Sequence, residues 1–139
     1  MVASFELARR RVLKTSILVQ KAEDVTPLIS PIANKKQEYL LCISLDGANE
    51  VIRNRVVTVG LLNTNQIHRR EVFADPISDR AASIILGHNH PSGVVKSGPD
   101  DLATTGQLID AGKILRIRLL DHIIITKKDR LSFRETGLM

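Results

Sequence analysis

Residues 83–93 read Ser83-Ile84-Ile85-Leu86-Gly87-His88-Asn89-His90-Pro91-Ser92-Gly93. Ser83–Gly87 is a short apolar run suited to a buried strand. It runs straight into two histidines and then a proline that forces a turn. Side chains alternate along a strand, so His88 and His90 point to the same face. The rise per residue sets them roughly 6.6 Å apart along the chain.

Working outward, Pro99–Ala111 has the pattern of a helix, with Ser97 or Gly98 as cap and Pro99 at its first position. Asp100 and Asp101 fall in its first turn, where negative charge suits the helix dipole. Gly112 reads as its stop. A fourth strand is expected at Ile117–Thr126 and a short last strand at Leu131–Arg134. Upstream, Tyr39–Asp46 reads as a buried strand, Asp46-Gly47-Ala48-Asn49 as a turn, and Val51–Gly60 as its hairpin partner. Arg69–Asp75 is helical, with a break or kink expected at Pro76 and a resumption over Ile77–Ala82. Strands interleaved with helices predict an α/β (α+β) sandwich, with helices packed on a mixed sheet.

The first 36 residues differ in character and read as a separate N-terminal helical segment and linker, with the main domain at 37–139. Phe5–Leu13 has helical spacing of apolar residues, and Arg9, Arg10, Arg11 and Lys14 form a basic cluster. A solvated helix face and a DNA contact both account for that cluster. A second short helix is expected at Asp24–Pro31.

Composition narrows the function classes. The 139 residues suit one domain with one shared core. Hydrophobic residues make up 43% and charged residues 25%, as in ordinary globular proteins. No run approaches the roughly 18–20 apolar residues of a membrane span, and no signal peptide is visible, so the cytoplasm is the expected compartment. Twenty basic against 15 acidic side chains give a charge of +5, which permits an acidic partner without demanding one. Four aromatic residues, Phe5, Tyr39, Phe73 and Phe133, make a poor stacking platform for single-stranded nucleic acid. Cys42 is the one cysteine, so an internal disulfide and a cysteine-based zinc knuckle are excluded. Base deamination is excluded with them, because it requires a Pro-Cys-x-x-Cys partner.

Two imidazoles and a carboxylate, His88, His90 and Asp101, with an open fourth position form the donor set of a catalytic zinc site. The same set suits non-haem iron. A bare His-x-His pair is also common as plain surface or as a strand-end pair. His122, inside an apolar strand, reads as a hydrogen-bonded core histidine or as a partner of a metal-bound imidazole. Cys42 reads as a small core residue.

Gly87-His88-Asn89-His90-Pro91-Ser92-Gly93 with Asp101 resembles the RadC family of the JAMM (MPN-like) metallopeptidase superfamily. His68–Val72, Ala81–Leu86, Ala111–Leu115, Leu120–Ile125 and Ser132–Glu135 resemble further signatures of that family. The resemblance covers about residues 37–139, and Glu6–Arg10 is similar to the segment that precedes this domain in longer members. The chain is therefore expected to be a short member or an excised domain.

The resemblance implies a three-layer αβα sandwich like that of cytidine deaminases. It implies Zn²⁺ held by His88, His90 and Asp101, cleavage of peptide or isopeptide bonds in a peptide or protein substrate, and a nominal link to DNA repair. Two positions depart from the pattern. The superfamily keeps a serine three residues before the aspartate, where this chain has Gly98, so Ser97 becomes the candidate stand-in. Active members also use an upstream glutamate to move the proton of the zinc-bound water. The expected strand at 51–60 has Arg53, Asn54 and Arg55 instead, and Glu50 and Glu71 are the nearest candidates. A catalytically weak or inactive binding module is the alternative that these departures leave open.

Overall fold

The computed structural model describes residues 17–60 and 67–139. The expected helix at 5–13 and its basic cluster lie outside these residues. A five-stranded mixed sheet forms the middle layer. Its strands are β1 (Tyr39–Leu45), β2 (Val51–Val59), β3 (Ser83–Asn89), β4 (Arg118–Ile125) and β5 (Arg130–Ser132). Their order across the sheet is β2-β1-β3-β4-β5. β3 and β4 are parallel, and the other neighbours are antiparallel. Among the described residues no helix is long and apolar enough to cross a membrane.

Alternation along the strands divides the apolar residues between two cores. Leu41, Ile43 and Leu45 of β1, Ile85 of β3 and Ile123 and Ile125 of β4 face one side. There they meet Val25, Ile29 and Ile32, from a short helix α1 (Thr26–Ile29) flanked by 3₁₀ turns at Ala22–Val25 and Ser30–Ile32. Leu40 and Cys42 of β1, Ile84 and Leu86 of β3 and Leu119 of β4 face the other side. They pack on Val72 and Phe73 of α2 (Arg69–Ser78) and Leu108 of α3 (Pro99–Leu115). Helices therefore cover both faces, and the architecture is the expected αβα sandwich. Residues 19–32 supply five buried apolar side chains to the first core, so they pack with the sheet rather than beside it.

Three local expectations differ from what forms. The helix at Arg69 does not break at Pro76 but runs through it to Ser78. Proline's fixed φ is itself helical, and the helix ends two residues later, so little hydrogen bonding is lost. Arg80 then adopts a left-handed φ of 55°, and the Ala81 N–H returns to the Pro76 carbonyl at 2.9 Å. The helix from Pro99 passes Gly112 and ends at Leu115, where Arg116 takes the left-handed cap at φ 57°. Gly112 instead makes room for the returning chain. A Cβ there would lie 2.4 Å from the carbonyl oxygen of Ile117, which folds back over the helix. β3 extends through His88 to Asn89, because those residues pair with Leu40, Ile124 and Ile125 on the flanking strands.

Candidate metal centre

His88 occupies the carboxyl end of β3, between Leu40 of β1 and Ile124 of β4. It lies on the face that α2 and α3 cover. His90 follows on the same side, its N–H bonded to the Ile125 carbonyl at 3.1 Å. α3 begins at Pro99, and the extended backbone of Gly98 (φ −87°, ψ 168°) makes it the N-cap. The Asp101 carboxylate turns back, and its Oδ2 accepts the Gly98 N–H at 3.1 Å. That single bond caps the helix and aims the carboxylate at the histidines.

The three side chains converge. His88 Nε2 and His90 Nε2 lie 2.8 Å apart. His88 Nε2 is 3.6 Å from Asp101 Oδ1, and His90 Nε2 is 3.6 Å from Asp101 Oδ2. These separations bracket the ~3.3 Å edge of a tetrahedron built on zinc–ligand bonds of about 2.0–2.1 Å. His90 Nδ1 lies 2.9 Å from the Val94 carbonyl, which can only accept, so that nitrogen carries the proton and Nε2 faces the cluster. The donor set and its spacing fit one divalent cation.

The electrostatics agree. Burial drives the pKa of His88 well below the ordinary imidazole value, and neighbouring His122 pushes it the same way. Such a ring is neutral, as a ligand must be. His90 is raised, first by its hydrogen bond to Asp101. For Asp101, burial alone would raise the pKa. The hydrogen bond with His90, together with the Gly98 N–H, outweighs burial and holds the carboxylate at about 2.

Beneath the cluster, His122 of β4 is fully buried and stacks on Phe133, with ring centres 4.6 Å apart. Its Nε2 touches His88 Nδ1 at 2.6 Å. It is thus both a core histidine and a neighbour of a candidate metal-binding ring.

The further candidates Glu50, Glu71 and Ser97 occupy three different places, of which that of Glu50 is far from the cluster. Glu50 sits at the hairpin end of the sheet, where Leu45 pairs with Val51, while His88 pairs with Leu40. Five residues along β1 separate them, or roughly 17 Å. Glu71 is exposed on the first turn of α2. Ser97 is half-buried in the loop just before the N-cap. The positions that lack a carboxylate on β2 have structural work instead. Arg55 pairs with Asp79 at the end of α2, Nη2 to Oδ1 at 2.7 Å, and Asn54 bonds the Leu28 carbonyl at 3.1 Å.

A carboxylate that feels the charges of the cluster is Glu38, which no local sequence pattern marks. It immediately precedes β1 and is half-buried. Burial raises its pKa, His90 lowers it, and Asp101 raises it again, so its carboxyl lies in the field of two of the three converging residues. The signal for it is long-range: antiparallel pairing of β1 with β3 sets Leu40 against His88 and so brings the residue before Tyr39 to the ligand end.

Comparison with known proteins shows the family. A family model described as RadC-like JAB domain matches residues 19–138. The chain is 44% identical to a UPF0758 protein of Methanospirillum hungatei, over 100% of this chain and 64% of that protein. It is 40% identical to a UPF0758 protein of Methanococcoides burtonii, over 97% of this chain and 61% of that one. A UPF0758 protein of Listeria monocytogenes is 41% identical over 98% of this chain and 62% of its own length. The chain thus spans a little under two thirds of these relatives. With the model matching most of its length and the His-His-Asp cluster in place, the chain belongs to the RadC-like JAB domain family.

Proposed function

We propose that this domain is a zinc-dependent hydrolase of amide bonds in a peptide or protein, cleaving peptide or isopeptide linkages. The observation that carries the reading is the convergence of His88 Nε2, His90 Nε2 and an Asp101 carboxylate oxygen, all within 4.8 Å of one another, beside the half-buried Glu38. His88, His90 and Asp101 would hold the ion, and three protein ligands leave the fourth position open. When bound, zinc supplies a water of lowered pKa and polarises the scissile carbonyl.

The chain's own groups do the rest. Burial raises the Glu38 carboxyl toward the range useful for proton transfer, so it takes the proton from the attacking water and returns it to the leaving amine. Asp101, held ionised at about 2, keeps its charge throughout and remains a ligand. Val94 fixes the His90 ring by its carbonyl. Hydrogen-bond donation to the oxygen of the tetrahedral intermediate is the weak part of the machinery, because Gly98 offers no hydroxyl.

That gap favours a second reading, a binding module with little turnover that works beside DNA-repair proteins. A panel of fluorogenic peptides and isopeptide-linked substrates, assayed with zinc, separates the two. Turnover that vanishes in Asp101→Ala supports the hydrolase. Saturable, salt-sensitive DNA binding without turnover supports the module.

A further inference from the structure

Behind the metal-binding face runs a buried line of polar contacts that starts and ends on the same residue. Thr105 Oγ1 lies 2.7 Å from the backbone carbonyl of Asp101, one turn earlier on α3. The same oxygen lies 2.7 Å from His122 Nδ1. His122 Nε2 lies 2.6 Å from His88 Nδ1. Thr105 and His122 are each about 2% exposed, and His88 is 3% exposed, so the line is shielded from bulk solvent.

The proton order follows from chemistry. A threonine hydroxyl has one hydrogen, and a carbonyl has none. If the hydrogen pointed at His122, two oxygen lone pairs would face each other at 2.7 Å across Thr105 and Asp101. The hydroxyl therefore donates to the Asp101 carbonyl and accepts from His122 Nδ1–H. With one proton on each ring, His122 Nε2 is then bare and accepts from His88 Nδ1–H. His88 Nε2 is left with its lone pair directed at His90 and Asp101.

We infer that Thr105 and His122 are positioning residues: the Asp101 carbonyl, through them, sets which nitrogen of His88 is free to bind metal. This inference rests on the metal reading above and adds the residues that impose the ligand's tautomer. Its structural consequence is a closed circuit. Asp101 offers its carboxylate to the site and, through its own backbone, orients the opposite ligand. A shift of the first turn of α3 therefore disturbs two ligands together. Outer partners of metal-bound histidines act in this way generally and alter affinity by about 10–100-fold when removed.

The test begins with metal-free wild-type protein labelled with ¹⁵N at histidine. Long-range ¹H–¹⁵N spectra are expected to show protons on Nδ1 of both His88 and His122 and none on His122 Nε2. A His122 proton on Nε2, or on both nitrogens, overturns the inference. Next, zinc affinity is measured by chelator competition. Thr105→Val removes the acceptor for His122 Nδ1–H and is expected to weaken zinc about 10–100-fold. Thr105→Ser keeps the hydroxyl and is expected to stay near the wild-type value. Equal affinity in Thr105→Val and wild type overturns the relay. So does a Thr105→Ser as weak as Thr105→Val. If Thr105→Val does not fold, the wild-type spectra decide alone. The spectra need no metal, so wild-type protein with the expected proton order but no zinc binding contradicts the hydrolase reading and not the proton order.

Discussion

The Asn89 side chain grips the backbone on both sides of Glu38. Its Oδ1 accepts the Tyr39 N–H at 2.6 Å, and its Nδ2 donates to the Gln37 carbonyl at 2.9 Å. Asn89 is fully buried and stands in the chain between His88 and His90. The residue that separates the two histidines therefore also fixes the backbone that carries Glu38. Strand alternation explains how it does both: the histidines point to one face, and Asn89 points to the other.

Asn89→Ala should leave these backbone groups without their partner and lower unfolding free energy by about 1–3 kcal/mol. It should reduce turnover more than zinc affinity, because the ligands themselves remain. Urea unfolding and chelator competition check both parts. A variant as stable as the parent contradicts the clamp.

Glu38→Gln keeps the shape of the side chain and removes its proton chemistry. Turnover on the responsive substrate should fall about 10²–10⁴-fold, with zinc content near the parent value. Glu50→Gln should leave turnover unchanged, since Glu50 lies at the opposite end of β1 from the cluster. A Glu38→Gln protein with full activity removes this residue from the mechanism.

Gly98→Ser places a hydroxyl where the resemblance leads one to expect a serine. A Cβ at this position meets nothing closer than Asp101 Oδ2 at 3.9 Å, and φ is −87°, so serine fits without strain. Its side chain can also cap α3. The variant should fold normally and hydrolyse the same substrate several-fold faster. Unchanged turnover in a folded, zinc-loaded variant contradicts the view that Gly98 weakens the centre.

The Arg55–Asp79 pair ties the edge strand β2 to the end of α2, and it predicts a specific pH dependence. Burial alone would raise the Asp79 pKa, but the Arg55 guanidinium outweighs it and holds the carboxyl below its ordinary value. A depressed folded-state pKa contributes stability above the unfolded value, near ~3.9, and loses it as pH falls through the folded value. Asp79→Asn should therefore cost about 1–2 kcal/mol at pH 7. The gap from wild type should narrow as the pH drops below about 4. Urea midpoints at pH 3, 5 and 7 test this, and a gap constant across them contradicts it.

The His-His-Asp cluster was legible because its placement is local. Alternation puts His88 and His90 on one face, and a helix start places Asp101, 11 residues after His90, so that it turns back toward them. Glu38 was not legible, because it lies 50 residues before His88 and reaches the site only through β1–β3 register. β2, where a carboxylate was expected, carries Arg53, Asn54 and Arg55, and it is the outer strand, with β1 between it and the histidine-bearing β3. Gly112 misled for a related reason. A glycine near a helix end reads as a stop, yet here its missing Cβ makes room for Ile117, a contact that no local pattern announces. Pro76 reads as a breaker by chain position alone, whereas its place near the end of α2 makes it tolerable.

The most direct test is a crystal of protein purified without chelator, with anomalous diffraction recorded on both sides of the zinc absorption edge. One strong peak per chain within about 2.0–2.2 Å of His88 Nε2, His90 Nε2 and an Asp101 oxygen is the predicted result. No anomalous peak among these atoms in zinc-supplemented crystals, or a peak bound elsewhere, would contradict the account.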